Sequence, residues 1–171
     1  MILGSELEKY SVYDSLGKEI GTIKDIIVDT TKEEWNTKEI ILNKGILKGE
    51  SVFSYEDINK FDEETKRVEL KEQTKLHELD ENKYSHEYLS MDSVKKREVF
   101  SSEEDEVGKI YDYVILNSLE RWKISKILVK PHEHILTGRR IRLDVKNIDK
   151  IKEMITLKLA KKELIETSEE E

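Results

Sequence analysis

Gly21-Thr22-Ile23-Lys24-Asp25-Ile26-Ile27-Val28 is echoed 87 residues later by Gly108-Lys109-Ile110-Tyr111-Asp112-Tyr113-Val114-Ile115. Both stretches read Gly-x-Ile-x-Asp followed by apolar residues, and the match extends outward without a gap, residues 2–42 onto residues 89–129. Ten of those 41 positions are identical, among them Val12/Val99, Glu19/Glu106, Trp35/Trp122 and Ile40/Ile127, while exchanges such as Ile20/Val107 and Ile41/Leu128 keep the apolar pattern in register. Self-similarity at a fixed spacing marks a duplicated structural unit. The chain therefore reads as two copies of one small domain. Two related surfaces suit bridging between partners better than they suit a single catalytic cleft.

Around the motif the sequence predicts short strands. In the first copy they lie at residues 9–13, 19–29, 37–43, 51–55 and 67–70. Asp14-Ser15-Leu16-Gly17 forms a tight turn, and Gly21 marks a bulge or a close backbone approach. The second copy repeats the layout at 99–100, 107–116, 124–129, 140–143 and 155–159. Glu104 and Ser101 stand there where the first copy has Gly17 and Asp14, which predicts a turn of different type. The loop before its fourth strand is two residues longer when Ile46-Leu47-Lys48-Gly49 is set against Ile135-Leu136-Thr137-Gly138. Five short strands with glycine-marked turns suggest a small barrel. The expected fold class is all-β with minor α: a first barrel over residues 1–71, a partly helical connector over 72–88, a second barrel over 89–160, and a charged tail over 161–171 that begins as a short helix.

Composition limits the function classes. At 171 residues, each copy is of a size at which one core stabilises only marginally, so the copies should pack on each other or on partner chains. The net charge of -8 opposes a general nucleic-acid role, which needs a basic field across the footprint. There are no cysteines, which excludes disulfides and thiolate metal sites. The chain shows no apolar run long enough to span a membrane and no signal-peptide layout at Met1–Tyr10, so a cytoplasmic location is expected.

The doubled motif, flanked by an apolar strand with a glycine turn and by a second aliphatic strand, resembles the signature of the PRC-barrel family. That family includes the photosynthetic reaction centre H subunit, the C-terminal domain of a bacterial ribosome maturation factor, and small stand-alone archaeal proteins. The resemblance implies a tandem pair of PRC-type barrels and no catalytic residues to transfer. Gly17, Gly21, Asp25 and Trp35, with Gly108, Asp112 and Trp122, are then structural motif positions. Resemblance to the archaeal members implies a division-site adaptor whose partners are FtsZ, its membrane anchor or sibling PRC-barrel proteins, with self-association as a further property. The alternative implied by the maturation factor is a ribosome-assembly or RNA-processing role. A membrane-associated accessory like the H subunit is remote without a spanning helix.

Candidate chemistry is sparse. His132-Glu133-His134 places two histidines at i and i+2, on one side of a strand as ligands must be, but it follows Pro131 in a loop of only one copy. A solvated loop is the better reading, and no metal or cofactor is assigned. His77 and His86 lie in the polar connector and read as surface residues. Asp25 and Asp112 sit in equivalent places of two units, so each should make local backbone hydrogen bonds rather than act as an acid-base pair. Trp35 and Trp122 read as core plugs before partner anchors. Arg139, Arg140 and Arg142 form the densest basic patch on an acidic chain, opposite Glu50-Ser51-x-Phe53 in the first copy. They are the candidate partner-binding residues, suited to an acidic peptide or a phosphate.

Overall fold

β-Branched and aromatic residues alternating with charged ones give strands throughout, and the computed structural model resolves them into fourteen in one sheet. It describes residues 1–80, 82, 87–118, 121–132 and 140–167. The first half contains β1 (Ile2–Leu3), β2 (Ser11–Tyr13), β3 (Glu19–Asp29), β4 (Trp35–Asn43), β5 (Glu50–Ser54), β6 (Ile58–Asp62) and β7 (Arg67–Leu70). The second repeats the series as β8 (Tyr88–Ser90), β9 (Glu98–Phe100), β10 (Glu106–Asn117), β11 (Trp122–Pro131), β12 (Ile141–Asp144), β13 (Ile148–Ile151) and β14 (Ile155–Leu157). Two short helices, α1 (Met91–Lys95) and α2 (Lys161–Thr167), complete the described chain with three 3-10 turns. The fold is all-β with minor α, as the residue pattern predicts.

Pairing is the same in each half: β2 runs antiparallel to β3 and parallel to β7, just as β9 runs antiparallel to β10 and parallel to β14. The halves interlock. β1 of the first half pairs with β10 of the second, Ile2 opposite Ile115, and β8 of the second pairs with β3 of the first, Leu89 opposite Val28. Each of these partners lies 87 positions from its equivalent, so the exchange is reciprocal. β4 and β11 join the halves edge to edge around the Asn36/Lys123 pair, which are themselves equivalent positions. One contiguous core therefore draws Ile2, Ile26, Phe53 and Val68 together with Val99, Ile115, Trp122 and Ile155. Marginal cores are thereby merged into one, in place of two units hanging on a connector.

Several expectations change in detail. Two strand pairs, β1/β8 and β6/β13, lie beyond the predicted five per half, because strands of two or three residues and the polar run around Lys60 carry little alternation. Residues 71–80 of the connector hold no helix. They run across the sheet, and His77 exchanges backbone bonds with Val52 (2.8 and 2.9 Å). The helical turn comes later, at α1, where the Ser90 hydroxyl accepts the backbone N–H of Ser93 at 3.2 Å as an N-cap. The two β-turns expected to differ are alike: Asp14 Oδ1 accepts from Leu16 and Lys18, Ser101 Oγ accepts from Glu103 and Asp105, and Gly17 and Glu104 have φ of 80° and 63°. The loop alignment also shifts. Ile41 faces Val52 while Leu128 faces Arg142, so the insertion before β12 is three residues and Arg142 corresponds to Val52, with Arg140 at the place of Glu50. A one-residue slip matters because it exchanges the two faces of a strand.

Candidate interaction surface

The motif glycine serves close strand approach within each half, and the motif aspartate serves the interlock between halves. A side chain at Gly21 would collide with the carbonyl of Asn43, and one at Gly108 with the carbonyl of Lys130, so both positions are needed for close strand approach. Downstream, β3 slips register between Ile23 and Asp25, and β10 does so between Ile110 and Asp112. The extra residue reverses the inside-outside parity: Ile23, Ile26 and Val28 all enter the main core, three apart and then two. Without the bulge Asp25 would follow Ile23 into the apolar interior. With it, the carboxylate turns to the opposite face, under the segment donated by the other half.

There each aspartate acts as a clamp. Asp112 accepts the Ser5 hydroxyl at 2.6 Å and the Ser5 N–H at 3.0 Å, and its own strand supplies the Tyr113 N–H at 2.9 Å. Asp25 accepts the N–H of Asp92 at 3.1 Å, and Asp92 is the equivalent of Ser5. The expected local backbone bonds are thus only part of the role, since each carboxylate also ties down the opposite half. Because Asp92 replaces a hydroxyl with a second carboxylate, burial and then the Asp92 charge push Asp25 up to about 7. Lys95 stands 3.7 Å from Asp92 and only partly offsets this.

Trp35 and Trp122 are both buried, in accord with the core reading. Trp122 belongs to the second half but its ring meets Phe61 (4.9 Å) and Tyr55 (5.7 Å) of the first, and Arg121 lies over Tyr55 and pairs with Glu56. At the equivalent junction around Trp35 these partners become Ile151, Val145, Glu34 and Lys146. A cleft of ≈ 450 Å³ opens there, lined by Trp35, Val145, Ile151 and Lys158 among others. The two ends of a pseudo-symmetric molecule are therefore unlike, one filled by aromatic rings and one open.

The structure places Arg142 on β12 and Arg140 immediately before it. Arg140 and Arg142 are exposed, whereas Ile141 and Leu143 between and beyond them are buried, so the two arginines share the outer face. Arg140 lies 5.3 Å from the centre of the Tyr111 ring, and Tyr111 is 38% exposed, which extends the patch with an aromatic surface. Arg139 lies outside the described residues, as do Glu133, His134 and His86. His132 is described, and its Nε2 lies 3.1 Å from Glu98 Oε2, while the other oxygen of Glu98 pairs with Lys109. Among the described residues no group of three or more His, Asp or Glu side chains is arranged to hold a metal ion. No described helix is long and apolar enough to cross a membrane.

Residues 1–76 match the family model of the PRC-barrel domain, a small β-barrel often involved in protein interactions. The matched region covers β1 to β7, the unit that β8 to β14 repeat in strand order and pairing. No curated protein matches the chain.

Proposed function

We propose that the chain is a non-enzymatic adaptor that joins other proteins. We place it in archaeal cell division, where it connects the FtsZ ring or the ring's membrane anchor to further components, sibling PRC-barrel proteins included. The division assignment rests on the resemblance of the doubled motif to the small archaeal members of the family. The adaptor assignment is supported by one observation above the rest: equivalent positions in the two halves have diverged in charge at the surface while the interlock between them is retained. Arg140 occupies the place of Glu50 and Arg121 that of Glu34, and Arg142 is exposed where its counterpart Val52 is buried. Complementary charge at an interface sets partner choice and association rate more than raw affinity. A duplicated scaffold with one cationic face can thus hold a different partner on each half.

The test is affinity capture of the tagged chain from lysate of its native host at low and moderate salt, with mass spectrometry of what is retained. FtsZ, its anchor or a PRC-barrel sibling is the expected catch, and it should be lost on replacing Arg139, Arg140 and Arg142 by Glu while the melting temperature stays nearly unchanged. Recovery of ribosomal proteins and RNA instead would replace this reading with ribosome assembly.

A further inference from the structure

Comparison of equivalent positions exposes a second difference between the halves. In the first, Tyr10 is fully buried and stacks on Phe61 at 5.1 Å, Phe61 packs edge-on against Trp122, and Lys66 closes the site with its ammonium 4.9 Å from the Tyr10 ring. In the second half Arg97 stands in place of Tyr10 and Ile151 in place of Phe61, and a hollow of ≈ 810 Å³ lies against both. Lys150, Lys152, Met154 and Thr156 line it as well, with Glu153 as its one acidic residue. The Arg97 side chain is half-buried and, among the described residues, has no ion pair or side-chain hydrogen-bond partner. Burial lowers its pKa. Met154 adds an apolar wall that is 46% exposed.

A desolvated guanidinium without an anion, beside apolar surface, is complementary to a carboxylate attached to an apolar group, since the planar fork accepts a carboxylate through two parallel bonds. We propose that this hollow binds an acidic peptide segment of a partner protein, with a Glu or Asp carboxylate on Arg97 and a neighbouring aromatic side chain against Ile151 and Met154. The aromatic ring takes the space that Tyr10 and Phe61 fill in the first half. The chain's net charge of -8 disfavours an extended polyanion here, whereas a short segment brings only the charge that the pocket neutralises. The inference deepens the adaptor reading and rests on it for the identity of the partner as a protein.

The probe is acetyl-Glu-Phe-Glu-amide, titrated into the full-length chain labelled with nitrogen-15, alongside acetyl-Gln-Phe-Gln-amide, acetyl-Glu-Ala-Glu-amide and inorganic phosphate. The expected result is a shift of the backbone amides of Arg97, Ile151, Lys152 and Met154 by the first peptide, with at least tenfold weaker binding of the other three ligands. Arg97→Gln should abolish the shifts. The double replacement Arg97→Tyr with Ile151→Phe, which transplants the first half's rings, should abolish them and raise the melting temperature. Equal binding of the Gln peptide, saturation of the same amides by phosphate as tightly as by peptide, or unchanged binding by Arg97→Gln would each overturn the site. Lysate capture separates this from the broader reading. Partner proteins retained by both the native chain and Arg97→Gln, with no peptide binding, would overturn the pocket and leave the adaptor standing. Peptide binding that Arg97→Gln abolishes, with no partner protein captured, would support the pocket and count against the adaptor.

Discussion

Asp25 and Asp112 occupy the same place in the duplicated motif, yet their surroundings make them chemically different. Asp112 accepts hydrogen bonds from a hydroxyl and two N–H donors, while Asp25 faces the carboxylate of Asp92. With its pKa at about 7 in the folded chain against 3.8 for the free side chain, Asp25 binds its proton more tightly folded than unfolded. Between those values the folded state holds more protons, so this residue's contribution to stability falls as pH rises from about 4 to about 7 and is flat above. Asp25→Asn should remove that decline while still accepting the Asp92 N–H. Urea unfolding of both chains at pH 5 and pH 8 checks it: the variant should gain on the native chain by on the order of 1–3 kcal/mol between the two pH values. The motif aspartate was legible as structural from its duplication. That it bonds across to the opposite half was not, because the partner residues lie 67 and 107 positions away.

At the scale of elements, β4 and β11 begin with equivalent tryptophans that meet unequal company. Trp122 sits among Tyr55, Phe61 and the Arg121–Glu56 pair, so truncating it opens a cavity that rigid rings cannot collapse into. Trp122→Ala should cost about 3–5 kcal/mol. Trp35 already borders an open cleft at Val145 and Ile151, so Trp35→Ala should cost distinctly less. Chemical denaturation of the two variants in parallel checks the order, and equal losses would mean that the open cleft is of no energetic consequence. The strands flanking these tryptophans were readable from alternation and β-branching over nine to twelve residues. β6 was not, since the burial pattern of Ile58–Asp62 leaves Asn59 and Lys60 exposed and no residue fully buried. Its place is set by pairing with β7, a contact that propensity does not encode.

For the whole molecule, the reciprocal exchange of β1 and β8 has a direct consequence. A fragment of residues 1–80 retains β1 to β7 but lacks β10, on which Ile2 and Leu3 pair, and lacks the β8 segment that covers Ile27 and Val28. Two copies of the fragment can satisfy each other, β1 of one lying on β3 of the next, which is the logic of a swapped dimer. Light scattering after size exclusion should therefore give twice the fragment mass. A folded monomer would show that the interlock is dispensable. In the full chain the same surfaces meet within one polypeptide at an effective concentration fixed by the connector, so the intramolecular pairing prevails.

The duplication, the all-β class, the glycine close approaches, the burial of both tryptophans and the shared face of Arg140 and Arg142 were readable from residue order. Each of these follows from periodicity, residue size or local backbone geometry, and such information is carried by neighbours in the chain. The exchange of strands between the two units, their shared core, the further one-residue offset of β12 and the hollow that Arg97 borders where Tyr10 fills one came from the folded arrangement. Those facts arise from pairing and volume matching between residues far apart in sequence. A duplicated pattern constrains each copy equally and is silent about which copy its strands will join.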